Sequence, residues 1–391
     1  MATPFKLRRG FVVVALVGLG LLLAGPWATR RRVSLEVADE LVATSRLVFE
    51  RPPVRAPVND DRSVVECLER ALPAASLARP PAGLSGAFGD GGAWPDGSAT
   101  WVEAQRKNVE QLRACLGAPA VGPFDFDCDV GAPLPRGLLL QVGLTWLRGE
   151  VSGAFDGGAP LSACLDVTAL ERDAPALHGL VGAMQAAASA RSTLEPCARA
   201  LAQASASDRR LASETFARLR ATSLPIASVM RLERGITGVS AFGGALRRVD
   251  LERLPLRARG CAGRQDVGSR WLLLPSVWER LRALERVAEG DPLLASPEAE
   301  QLLSEPGFLE ALANDPFMIP WPRFARRYTA VALKLDALLA LDEGLAGAAP
   351  RGTPALKVTP HDGGLTLEVG FEEGWTQVDV STRGGSPVTP R

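Results

Sequence analysis

Between Gly10 and Thr29 the chain carries no charged residue, and basic residues bound this run on both sides: Lys6, Arg8 and Arg9 before it, Arg30, Arg31 and Arg32 after it. At about 1.5 Å of rise per residue, a helix of about 20 residues matches the ~30 Å hydrocarbon layer of a bilayer. A cleaved secretory signal has a shorter apolar core, followed by small residues at its cutting site. Here the stretch "GPWA" places Pro26 and Trp27 just ahead of Ala28, a poor substrate for such a cut. Trp27 suits the far interface of a span instead. Residues 1–33 therefore read as a basic leader and an uncleaved transmembrane anchor, with the membrane as partner through residues 10–29. A cleaved signal is the alternative.

The stretch "RRGF" (8–11) resembles the cut point of prepilin leaders, which implies a minor pseudopilin-like subunit of a secretion system as one possible role. That family's motif also has a Glu five residues after the Gly, where this chain has Ala15, and Pro26 interrupts the long helix that a pilin needs. Basic residues flank both ends of the span, so the charge rule for orientation nearly cancels. All six cysteines (Cys67, Cys115, Cys128, Cys164, Cys197, Cys261) lie beyond the anchor. An even number with no CxxC pair and only two histidines favours disulfides in an oxidising compartment over a zinc site. The expected address is the inner membrane, with the body in the periplasm or outside. Pairing Cys115 with Cys128 and Cys164 with Cys197 closes the shortest loops, although the spacing does not choose among connectivities.

Lys and Arg together number 44, as do Asp and Glu, so no global field draws the chain to nucleic acid. The single tyrosine, Tyr328, and sparse aromatics leave no stacking platform for single strands or sugars. The only lysines are Lys6, Lys107, Lys334 and Lys357, arginine supplying the rest of the positive charge.

The body reads as helices. Leu35–Phe49 has apolar residues at mostly helical spacing, and "RPPVRAPVND" (51–60) breaks it. A helix follows to about Leu72, then residues 73–98, rich in Pro, Gly, Ala and Ser, predict a long loop. Ser98 or Thr100 caps a helix to Leu116. In "GPFDFDCDVGAP" (122–133), Asp125, Asp127 and Asp129 have the offsets of a calcium loop and form a weak cation candidate. Val130 and Arg136 stand where such a loop needs Gly and a bidentate Glu, so an extended segment with acids in water is the plainer reading. "RGLLLQVGLTWLRGEVSGAF" (136–155) predicts two helices joined at a "GE" turn. Further helices are expected at 161–171, 175–190, 193–205 and 208–234, the last started by Ser207 and Asp208 and kinked or split by Pro225. This is an α-hairpin array, TPR-like or solenoid-like in architecture, without a fixed repeat.

The single anchor, the "GE" turn and the helix ending in "ER" within "MRLERG" (230–235) resemble a loose group of single-anchor helical envelope proteins of bacteria over residues 60–345. That resemblance implies a helical body and carries no function. Residues 235–267 read as a Gly- and Arg-rich loop, with Arg247, Arg248, Arg253, Arg257, Arg259 and Arg264 on a solvated face. A phosphate, lipid head group or acidic partner is the alternative for that face. Helices resume at 269–289, 297–313 and 321–345, with "DPFMIPWPRF" (315–324) as connector.

From Pro350 the pattern changes. Alternation through Leu365, Leu367 and Val369 and then Val378 and Val380, with "HDGG" and "EEG" as turns, predicts a small antiparallel β meander. The expected organisation is thus 1–33 leader and anchor, 34–134 helical segment with Pro/Gly-rich loops, 135–348 α-helical hairpin domain, 349–382 β meander and 383–391 disordered tail. His178, on a helix, and His361, beside Asp362 at a turn, are the only candidate bases, and no GxSxG, HExxH, Walker or dinucleotide motif accompanies them. No cofactor is implied and the chain reads as a non-enzyme. The function expected is that of a single-pass, membrane-anchored extracytoplasmic protein, an interaction or scaffold module with a protein partner. The rivals are an envelope hydrolase with a cryptic carboxylate pair and the pseudopilin-like subunit.

Overall fold

The computed structural model describes residues 37–49, 77–90, 93–116, 135–155, 158–242, 246–262, 321–371 and 374–381, with the single positions 18, 20, 282 and 285. These residues are mainly helical and end in a three-stranded antiparallel sheet. Apart from positions 18 and 20, the expected span at 10–29 lies outside the described residues. So do Asp125, Asp127, Asp129, Cys67, Cys128, the tail from 383 and, apart from positions 282 and 285, the helices expected at 269–289 and 297–313. Among the described residues, no helix is long and apolar enough to cross a membrane.

Helix α1 (Ala38–Phe49) buries Leu41, Val42 and Ser45. The segment 73–98, expected to be loop throughout, contains helix α2 (Leu84–Asp90), which turns Leu84 and Phe88 into the core. Helix α3 (Ser98–Leu116) follows, its first residue donating from Ser98 Oγ to the Pro95 carbonyl. The "GE" pair is not a turn. Helix α4 runs through it (Pro135–Val151), and the chain turns only at Ser152 and Gly153, where φ is +71°. Tertiary contacts override the local signal: Glu150 is buried and ion-paired to Arg113 of α3.

Gly149 also has a packing role. A Cβ there would lie 2.4 Å from Phe155 Cζ and 2.9 Å from Phe88 Cζ. Those rings join Trp94 and Trp146 in an aromatic cluster, with Phe88 and Phe155 edge-to-face at 5.6 Å and Trp146 to Phe155 at 4.8 Å. Gly149→Ala should therefore lower stability by about 1–3 kcal/mol. Chemical denaturation monitored by tryptophan fluorescence checks this; a change within error would mean that the rings move aside freely.

The centre of the fold is α5, a single helical run from Pro160 to Gln203. It is not straight. Cys164 and Cys197 would be about 50 Å apart along a continuous helix, yet their Cα atoms are 5.3 Å apart and their sulfurs are bonded. The run folds back into a hairpin of two helical arms. Gly179 supplies the positive φ (+52°) between them, and Pro175 lacks the N–H that would extend the first arm's hydrogen bonding. The sequence pattern predicts breaks near 171–175 and 190–193; the reversal instead comes at the glycine. Buried alanines on the second arm (Ala183, Ala186, Ala187, Ala190) allow close approach of its neighbours.

Helix α6 (Ala206–Ala221) is capped by Ser205, two residues ahead of the expected start, with Ser205 Oγ accepting from the Asp208 amide. Pro225 splits it from α7 (Ile226–Phe242), as its missing donor requires. The 235–267 stretch is more helical than expected: α7 continues to Phe242, and two short helices follow, α8 (Arg248–Leu251) and α9 (Leu256–Cys261). Helix α10 (Trp321–Leu345) packs on both α5 and α6.

The meander forms as the alternation dictates, in the order β1 (Leu356–His361), β2 (Gly364–Phe371) and β3 (Gly374–Ser381). Leu365, Leu367, Val369 and Phe371 bury one face of β2; the sheet packs on α10 and, through β3, on α5. Gly344 of α10 admits this approach, since a Cβ there would lie 2.9 Å from Leu365 Cδ1.

Candidate functional site

Where the two arms of α5 face α10, three side chains far apart in sequence meet in full burial. Glu171 comes from the first arm, Thr193 from the second and Lys334 from α10, each with no exposed surface. Lys334 Nζ donates to Glu171 Oε2 and to Thr193 Oγ1, both at 2.8 Å. The other carboxylate oxygen accepts from Ser189 Oγ at 2.7 Å and has Thr193 Oγ1 at 2.9 Å. Burial pushes the Lys334 ammonium below its ordinary lysine value, and the Glu171 carboxylate pulls it partly back. A paired, hydrogen-bonded charge is the form in which such groups are tolerated in a core.

Beside this network opens a half-enclosed cavity of about 410 Å³. Glu171, Arg172 and Pro175 of the first arm line it, opposite Ala183 and Ala186 of the second. The α6–α7 connection contributes Leu224 and Pro225, and one face of α10 contributes Tyr328 to Asp336. Its walls are mostly apolar. The polar groups around it are already engaged: Tyr328 OH donates to the Leu224 carbonyl at 2.5 Å, Arg220 Nε to Asp336 Oδ1 at 2.8 Å, and Arg172 to both Asp173 oxygens and to Thr222 Oγ1. The cavity is thus a preformed apolar recess on tied helices, within the ~300–1,000 Å³ range of ligand pockets.

The residues singled out from sequence fall elsewhere. Cys164 and Cys197 do pair, and Cys115 is disulfide-bonded as well, with its partner outside the described side chains. His178 lies on α5 near the reversal at Gly179. His361 ends β1, exposed, opposite Gly364 in the ladder, where Gly363 (φ +97°) makes the turn. His361 is not among the residues that line the cavity. Among the described residues no group of three or more His, Cys, Asp or Glu could hold a metal. Of the arginines in 235–267, Arg247, Arg248 and Arg253 form ion pairs with Asp250, Glu252 and Asp39, and Arg259 binds the Leu254 and Glu252 carbonyls.

Glu171 and Lys334 were not foreseen, although the signal was present. In "AVALKLDALLA" (330–340) one of the chain's four lysines interrupts an apolar stripe, in a chain that uses arginine almost everywhere else for positive charge.

Fold and site together define a helical-bundle protein with an α-helical hairpin at its centre, a sheet appended to one side and an apolar recess beside a buried ion pair. No family model, curated protein or solved structure matches the chain.

Proposed function

We propose that this chain is a single-pass, membrane-anchored extracytoplasmic interaction module, placed at the inner membrane with its body in the periplasm or outside. In this reading the cavity between α5, α10 and the α6–α7 connection receives apolar side chains of a partner polypeptide. The cavity carries the proposal: it is apolar and half-open, and its walls are tied by a disulfide and a satisfied buried network, so little ordering is left to be lost on binding. The bonded cysteines support an oxidising compartment. The α5 hairpin supports the TPR-like component, since stacked helical hairpins bind through extended faces.

Ala332→Phe tests the reading by filling the recess from α10. Loss of a central pocket contact costs about 2 kcal/mol or more, roughly a thirtyfold fall in affinity. The expected result is that partners recovered with the wild type from detergent extracts are lost with Ala332→Phe while the melting temperature holds. Undiminished partner recovery by a folded Ala332→Phe chain would refute the role given to the cavity. The hydrolase alternative has two carboxylates, Glu171 and Asp336, lining this cavity, but each is held at 2.8 Å by a cation, Lys334 or Arg220.

A further inference from the structure

The most exposed of the large apolar side chains described is Leu256, with 81% of its surface in water, and Val249, seven residues earlier, is 56% exposed. Both belong to the short helices α8 and α9, which pack against α1 and, for α9, against α7. Arginines flank them along the chain: Arg247, Arg248 and Arg253 are all exposed, and each is paired with a carboxylate, Asp250, Glu252 and Asp39 respectively. The segment is held to α1 at a particular end. Arg253 Nη1 lies 2.6 Å from Asp39 Oδ1, at the start of that helix, and Arg46 Nη2 donates to the Arg253 carbonyl. Helix α1 is in turn fixed to the body through Glu40, 2.6 Å from the buried guanidinium of Arg234 on α7.

Asp39 stands seven residues after Arg32, the last residue of the basic cluster that closes the uncharged run. Even fully extended, that length of chain reaches at most about 25 Å. The contact between Asp39 and Arg253 therefore holds Val249 and Leu256 close to wherever residue 32 emerges. We infer that the α8–α9 face rests on the phospholipid surface, with Leu256 and Val249 entering the interface and Arg247, Arg248 and Arg253 at head-group level. Exposed apolar side chains beside arginines suit an interfacial contact, the aliphatic groups sinking into the boundary while the guanidinium groups, with their paired carboxylates, stay at its watery side. The anchor would then do more than retain the body: it would set it in one orientation, with the cavity side held at a constant angle to the bilayer. This inference rests on the anchor proposed above.

The test uses the full chain reconstituted into vesicles of phosphatidylcholine and phosphatidylglycerol, with p-benzoylphenylalanine placed at Leu256, at Val249 or, for comparison, at Leu211, an exposed leucine on α6. Mass spectrometry after illumination should find lipid adducts at 256 and 249 in excess over 211 by about tenfold, as expected of side chains seated in the interface. Parallel extraction with alkaline carbonate separates the two claims. Adducts no more frequent at 256 and 249 than at 211, in a chain that resists extraction, would overturn the contact and leave the anchor standing. Release of the chain by carbonate would overturn both.

Discussion

Replacing Cys164 and Cys197 together by alanine lowers the stability of the helical body by about 3–4 kcal/mol, the chain-entropy value for a closed loop of this length. The two cysteines are 33 residues apart, and their bond closes the open end of the α5 hairpin opposite the reversal at Gly179. Without the bond, the unfolded chain regains the freedom of the whole hairpin, while the folded state loses only one contact between sulfurs that are fully buried. Urea denaturation of the double variant beside the wild type measures the difference. Because α5 packs against α4, α6, α7 and α10, the loss should appear as a lower midpoint of one cooperative transition. A midpoint unchanged within error would show that packing alone holds the arms together.

Lys334→Met should cost about 3–5 kcal/mol, the range observed when one partner of a buried ion pair is removed and the other stays behind. The charge stranded here is the Glu171 carboxylate, which has no exposed surface. Ser189 and Thr193 would still donate to it, but the only cation on it among the described residues would be gone. The double variant Lys334→Met with Glu171→Gln removes both charges and keeps an amide to meet the two hydroxyls. It should therefore be less destabilised than the sum of the single variants by about 2 kcal/mol. Additivity of the two changes would mean that the groups do not act as a unit.

The same pair has a pH signature whose sign follows from the burial of Lys334. The folded chain binds this proton less tightly than the unfolded chain, where the ordinary value is 10.5. Stability therefore rises with pH from the folded-state value up to 10.5, and Lys334→Met should lack that slope. The network offers little net stabilisation over an apolar core of equal volume. Its geometry ties three segments together: Glu171 of the first arm meets Ser189 and Thr193 of the second and Lys334 of α10.

Much of the helix placement was legible because its causes are local. The stop at Pro225 follows from a missing donor, the end of α3 at Leu116 from the loss of apolar period, and the meander from alternation through Leu365, Leu367 and Val369. The pairing of Cys164 with Cys197 was one of several open possibilities and needed the fold to select it. Two errors have a common origin. "GE" at 149–150 resembles a turn, and 73–98 has the composition of a loop, yet both contribute buried groups to the same neighbourhood: Glu150 to Arg113, and Phe88 to the rings around Gly149. Contacts made across the fold outweigh a propensity of a fraction of a kcal/mol per residue.

The amino-acid order by itself determined the helical class, most of the helix limits among the described residues and the β ending, because periodicity, caps and proline act over a few neighbouring residues. Only the tertiary structure decided that α5 doubles back at Gly179, that Lys334 reaches Glu171 across 163 positions, and that an apolar recess opens beside them. Such partnerships depend on which helix faces pack together, and that choice is made by burial summed over the whole core.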